Sequence, residues 1–340
     1  MSNIFNENLS KYAELVVKVG VNIQKNQFLY ITTSTDALDL ARLITKKAYE
    51  AGARQVFVDL ADDQIGRARY ELAPDDSFDF FPEWKVKERE WLAEQGAAFV
   101  SIVSQSPDLL KGIDSKRIAT FQKAAGTALN KYRQYVQSDK ISWTVIASPS
   151  EAWAEKVFPN LPKEKQVDAL WDAIFKATRS DLDNPVEAWT KHNDTLHEKV
   201  HYLNAKKYAK LHYTAPGTDL TIELPKGHLW CGAGSVNEKG EEFMANMPTE
   251  EVFTVPHKDG VNGYVSSTKP LSYGGNIIDN FKITFENGRI TKVEAEQGEE
   301  VLKNLVATDE GSHRLGEVAL VPHDSPISNS GLLFYNTLFD

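Results

Sequence analysis

The 340-residue chain carries a formal net charge of −10, with 41% hydrophobic and 25% charged residues, the composition of an ordinary folded protein long enough for two domains. That charge, without any basic run, excludes phosphate-backbone binding, which needs clustered Lys and Arg, so no nucleic-acid partner is expected. No apolar run approaches the roughly 20 residues of a membrane span, MSNIFNENLSKYAELVVKVG lacks a secretory leader pattern, and the single cysteine, Cys231, excludes an internal disulfide framework; the expected address is the cytoplasm, with no membrane partner.

Leu9, Tyr12, Val16 and Val19 form a helical stripe that ends at Gly20. Phe28 to Thr33 reads as a strand. Asp36 then offers an N-cap for a helix carrying Leu40, Leu43, Ile44 and Ala48, closed by Gly52. Gln55 to Leu60 is a second apolar run. Strand, helix, strand in this short span is a βαβ unit, and near-continuous apolar strands suit a sheet covered on both faces. Ala97 to Val103 and Ile141 to Ala147 are read as further strands of the same parallel sheet.

From about Ser150 to Tyr208 the pattern is helical, broken at Pro159, Pro162 and Pro185. Ser180 to Pro185 has turn composition, which divides the chain into an N-terminal α/β domain, 1–183, and a mixed α+β domain, 184–340. In the second half Leu220 to Leu224 and Val252 to Val255 are read as short strands. Asn280 to Glu286 and Arg289 to Ala295 flank Asn287-Gly288, the signature of a tight hairpin. Gly298 to Thr308 follows as a helix and Gly316 to Val321 as a strand.

The HExxH match, His197 to His201, places two imidazoles at i and i+4 on a helix, as in zinc peptidases with Glu198 as base. Three features weigh against that chemistry: Lys199 inside the motif, a highly polar neighbourhood, and an apolar stripe of Leu196, Val200 and Leu203 that leaves the histidines off its centre. A solvated helix face accounts for them, and for His192. Gly232-Ala233-Gly234 is a loop rather than a dinucleotide fingerprint. Cys231 reads as a packed small side chain, and no P-loop or GxSxG elbow occurs.

The carboxylates of the second half remain. Glu250 and Glu251 stand at the mouth of a short strand, where alternation sends one toward the core and the other outward. Glu317 directly precedes the apolar run Val318 to Val321, where a buried carboxylate needs a compensating cation or donor. Taken alone, each reads as a salt-bridge partner or a strand-edge charge sooner than as a metal ligand.

At these residues the chain resembles the thermophilic aminopeptidase family, which includes the bacterial aminopeptidases T, S and II. The matching stretches are GTDLTIELPKGHLW (Gly217 to Trp230), NMPTEEVFTVPHKDGVNG (Asn246 to Gly263), DEGSHRLGEVALVP (Asp309 to Pro322) and ISNSGLLFYNTLFD (Ile327 to Asp340). Their order and intervals resemble the family's along the whole chain.

The resemblance implies a cytoplasmic, homodimeric enzyme that removes N-terminal residues from peptide substrates through a centre of two divalent metal ions: zinc, cobalt, manganese or magnesium. It assigns Glu251 and Glu317 as metal ligands, with Glu250 as the alternative to Glu251 and Glu317 shared by both ions. It also implies a chain that continues past Asp340 to further ligands, which His313 and His323 do not replace. The expectation for a chain ending at Asp340 is therefore an incomplete metal shell, and the alternative function is a catalytically incomplete peptide-binding or dimerisation scaffold.

Overall fold

The computed structural model describes residues 3–273 and 276–340, and the chain divides into two compact units. The first takes the chain up to Lys191 and adds Gly234–Thr249 and Phe339. The second consists of His192–Ala233, Glu250–Leu338 and Asp340.

In the first unit β1 (Phe28–Ser34), β2 (Gln55–Ala61), β3 (Ala98–Val103) and β4 (Trp143–Ala147) form a parallel sheet in the order β2-β1-β3-β4. Parallel neighbours cannot be joined by a tight turn, so helices connect them. Leu38–Glu50 links β1 to β2, Asp63–Leu72 and Glu83–Glu94 precede β3, and Ser115–Ala128 and Asn130–Gln137 precede β4. Central β1 is covered on both faces, with Leu29, Tyr30 and Ile31 buried. The equally apolar β2 lies at the sheet edge, and Val58 and Leu60 stay 45% and 47% exposed. An apolar run signals a strand; strand order decides its burial.

The first helix, Asn3–Leu15, continues through a π-type turn, Val16–Gly20. Leu9, Tyr12 and Val16 are buried as their spacing predicts, while Val19 is half-buried. The Tyr12 hydroxyl donates to the Ala147 carbonyl at 3.1 Å and accepts from the Ala147 N–H at 3.2 Å, tying this helix to β4. Asp36 does not act as the expected N-cap. Thr35–Ala37 forms a 3₁₀ turn, and Ala37 occupies the cap position without a side-chain bond. Asp62 does cap the helix that follows it, accepting the Ile65 N–H at 2.9 Å.

Further along the chain come β5 (Lys210–Ala215), β6 (Thr218–Glu223) and β7 (Cys231–Gly232). In the segment returned to the first unit, β8 (Ser235–Val236) pairs with β9 (Glu242–Phe243). The second unit resumes with β10 (Val252–Thr254), β11 (Val261–Ser266), β12 (Leu271–Tyr273), β13 (Asn276–Glu286), β14 (Arg289–Gln297) and, after the helix Glu299–Val306, β15 (Val318–Leu320). One antiparallel sheet runs β12-β13-β11-β6-β5, with β14 also on β13; a second, three-stranded sheet runs β15-β10-β7. The β13–β14 hairpin turns at Asn287 and Gly288, with φ of +50° and +78°. A Cβ on Gly288 would collide with the Lys258 carbonyl, so glycine is needed there for space as well as torsion.

The helix Pro185–Lys206 buries Leu196, Val200 and Leu203 in a core with Ile222, Val252 and Val318. The architecture is therefore an N-terminal parallel-sheet α/β arrangement followed by a mixed α+β one.

Candidate metal centre

The three-stranded sheet sorts its side chains by register. β10 pairs antiparallel with β15 through Val252↔Leu320, Phe253↔Ala319 and Thr254↔Val318, and with β7 through Val252↔Gly232 and Phe253↔Cys231. Opposed residues share a face and successive residues alternate. Val252, Thr254 and Val318 take the core face and are buried. Phe253, Ala319 and Cys231 take the other.

Glu251 is one step before β10, in phase with Phe253, and Glu317 is one step before β15, in phase with Ala319. By this alternation the two acids fall on the same non-core face, at opposite ends of the antiparallel β10–β15 ladder. Glu251 is half-buried and Glu317 exposed. Burial, and next the negative charge of Glu317, raise the Glu251 carboxyl above its ordinary range. Among the described residues neither acid has a hydrogen-bond or ion-pair partner. A pair of mutually repelling carboxylates suits a divalent cation, which takes oxygen donors and cancels their charge. The described residues contain no group of three or more His, Cys, Asp or Glu that could hold a metal ion.

The preceding residue goes the other way. Glu250 is 6% exposed, and its Oε2 lies 3.5 Å from Nε2 of His192, whose side chain is 11% exposed. Alternation at the Glu250–Glu251 step is as the strand pattern predicts. His192 is therefore mostly buried and does not lie on a solvated helix face, contrary to the expectation from sequence. It precedes Leu196 by four residues and so lies on the buried stripe of its helix, a signal present in the sequence.

Gly232 sets the closeness of β7 to this step. Its φ is +148°, and a Cβ there would come 2.7 Å from the Glu251 carbonyl oxygen and 3.0 Å from the Val252 Cα. Asn204 anchors the residues just before, its Nδ2 donating to the Trp230 carbonyl at 2.9 Å while its Oδ1 accepts the Trp230 N–H at 2.8 Å. Cys231 is exposed rather than packed, because its register with Phe253 puts it on the non-core face. His197 and His201 keep to the outward side of their helix, their ring centroids 6.3 Å apart.

The model of the thermophilic metalloprotease family, M29, matches residues 5–340. The chain belongs to this family. Membership makes it an enzyme acting on peptide bonds and implies a divalent metal cofactor. Aminopeptidase AmpS of Bacillus subtilis is 64% identical over 336 residues, covering 99% of this chain and 82% of that protein. Aminopeptidase 2 of Geobacillus stearothermophilus is 51% identical with the same coverage. Among solved structures, wild-type AmpT from Thermus thermophilus aligns with a TM-score of 0.93 at 42% identity, covering 99% of this chain and 83% of the other. The α/β and α+β architecture is thus shared with that solved structure. No helix among the described residues is long and apolar enough to cross a membrane.

Proposed function

We propose that this chain is a metal-dependent aminopeptidase that removes residues from the N-termini of peptides at a centre of two divalent ions, with Glu251 and Glu317 among the ligands. The carrying observation is the shared face of these two acids on the β10–β15 ladder, where burial and then the charge of Glu317 raise the carboxyl of Glu251. The aminopeptidase names of the relatives support the reaction class.

Bound divalent ions supply Lewis-acid polarisation of the scissile carbonyl and a water acidic enough to attack it near neutral pH. The chain's own residues do the positioning. Glu251 is held half-buried by the antiparallel pairing of its strand, and exposed Glu317 faces incoming peptide. Their joint negative charge also attracts the free ammonium of a substrate N-terminus, favouring cleavage after the first residue. Zinc, cobalt, manganese and magnesium compete for such oxygen donors by availability as much as by affinity. A cytoplasmic homodimer is the assembly and address we assign, from the resemblance of the sequence motifs.

The test is Glu317→Gln and Glu251→Gln, assayed on a peptide with a free or an acetylated N-terminus. Loss of a partner behind a ligand already costs 10–100-fold, so loss of a ligand should cost about 100-fold or more in kcat/KM, together with bound metal. Wild type should ignore the acetylated peptide. Full activity and full metal content in Glu317→Gln would end the assignment.

A further inference from the structure

The proposed peptidase centre makes no use of the His197–His201 pair. The helix carrying it buries Leu196, Val200 and Leu203, so one turn apart on its outward side stand His201, exposed, and His197, half-buried. Their ring centroids are 6.3 Å apart and their planes 26° from parallel. Metal–imidazole bonds of about 2.0–2.1 Å put two rings that share one ion in adjacent positions at centroid separations of about 4.5–5.5 Å. A small rotation of the two side chains, chiefly of exposed His201, closes the difference.

Lys199 does not obstruct this. At 3.6 residues per turn it lies about 200° around the helix from each imidazole. Asp194 and Glu198 each precede one histidine by three residues, so the charge nearest the pair along the helix is negative. The described residues offer no third ligand, so the site lacks the closed or three-protein-ligand shell of a structural or catalytic zinc site.

We infer that His197 and His201 form a surface chelate for borderline divalent transition ions such as copper(II), nickel(II) and zinc(II), separate from the carboxylate centre. Imidazole donors disfavour magnesium and calcium, and affinity follows copper over nickel. Water fills the remaining positions, and the ion staples one turn of the helix. This inference does not depend on the proposed peptidase function. It does mean that metal analysis with a transition ion counts one equivalent beyond the peptidase centre.

The experiment is nickel(II) and copper(II) titration of untagged protein, with retention on immobilised nickel and the nitrogen hyperfine pattern of bound copper as readouts. His197→Gln and His201→Gln should each weaken nickel binding by about tenfold or more, because one donor no longer presents the ion to its neighbour at high effective concentration. Two-nitrogen coordination should fall to one, with peptidase activity and the metal-free thermal midpoint unchanged. Lys199→Gln serves as a control that keeps full binding. Nickel affinity equal to wild type in either histidine variant, or equal binding of magnesium, would overturn the site.

Discussion

His192 and Glu250 face each other at 3.5 Å inside the second unit, and the residue after Glu250 is the half-buried acid of the candidate metal centre. A helix imidazole thus holds the inward member of a consecutive acid pair, and alternation leaves the outward member for a cation. His192→Phe should lower stability by about 1–3 kcal/mol, the cost of removing a partner from a buried polar group, and should weaken metal binding at the centre. Adding Glu250→Gln should recover part of the stability, because a neutral amide is cheaper to bury than a carboxylate. A double-mutant cycle by urea denaturation measures the coupling, and additive effects would show that the two residues act independently.

Like-charge repulsion gives Glu317→Gln a signature that depends on metal. Without metal the variant should be at least as stable as wild type, since it relieves the pressure on Glu251. With metal at 100 times its Kd, wild type should gain about 2.7 kcal/mol, and the variant much less. Paired thermal melts with and without added zinc provide the comparison.

Gly232 tests how tightly β7 must approach β10. Gly232→Ala drives a methyl group toward the Glu251 carbonyl and Val252 Cα, in a backbone region that L side chains rarely adopt. About 1–3 kcal/mol of destabilisation is expected, and the displaced Glu251 should reduce activity further than the loss of folded protein explains. Activity per folded molecule, with folding followed by circular dichroism, separates the two effects.

Acid stability should depend on the first unit. Burial would raise the Asp59 carboxyl, but Lys85 at 2.9 Å and Arg89 at 3.3 Å outweigh it and hold it below its usual range. A carboxyl depressed on folding contributes stability that is fully present above its unfolded pKa and lost as pH falls through the folded one. Asp59→Asn should therefore be less stable than wild type at neutral pH, with the gap closing below about pH 4. Urea midpoints from pH 7 to pH 3 check it.

The elements that were readable from sequence are those whose signals are local. The stripe at Leu9, Tyr12 and Val16 marks a helix, and Asn287-Gly288 marks a hairpin, because side-chain periodicity and a positive φ involve only neighbouring residues. Asp36 misled because its cap requires a backbone geometry that the 3₁₀ turn at Thr35–Ala37 does not provide. Cys231 is exposed although its neighbour Trp230 is core, because a single step along an extended chain reverses the face.

From its residues alone the chain determined the order of its helices and strands, whereas the motifs around Glu251 and Glu317 pointed to a metal-dependent family only through their resemblance to it. Tertiary structure decided which of Glu250 and Glu251 turns inward, and that Glu251 and Glu317 share a face. Those outcomes depend on the register of β10 against β15. A register is a relation between distant strands, and a shift of one residue would have sent every side chain to the opposite side.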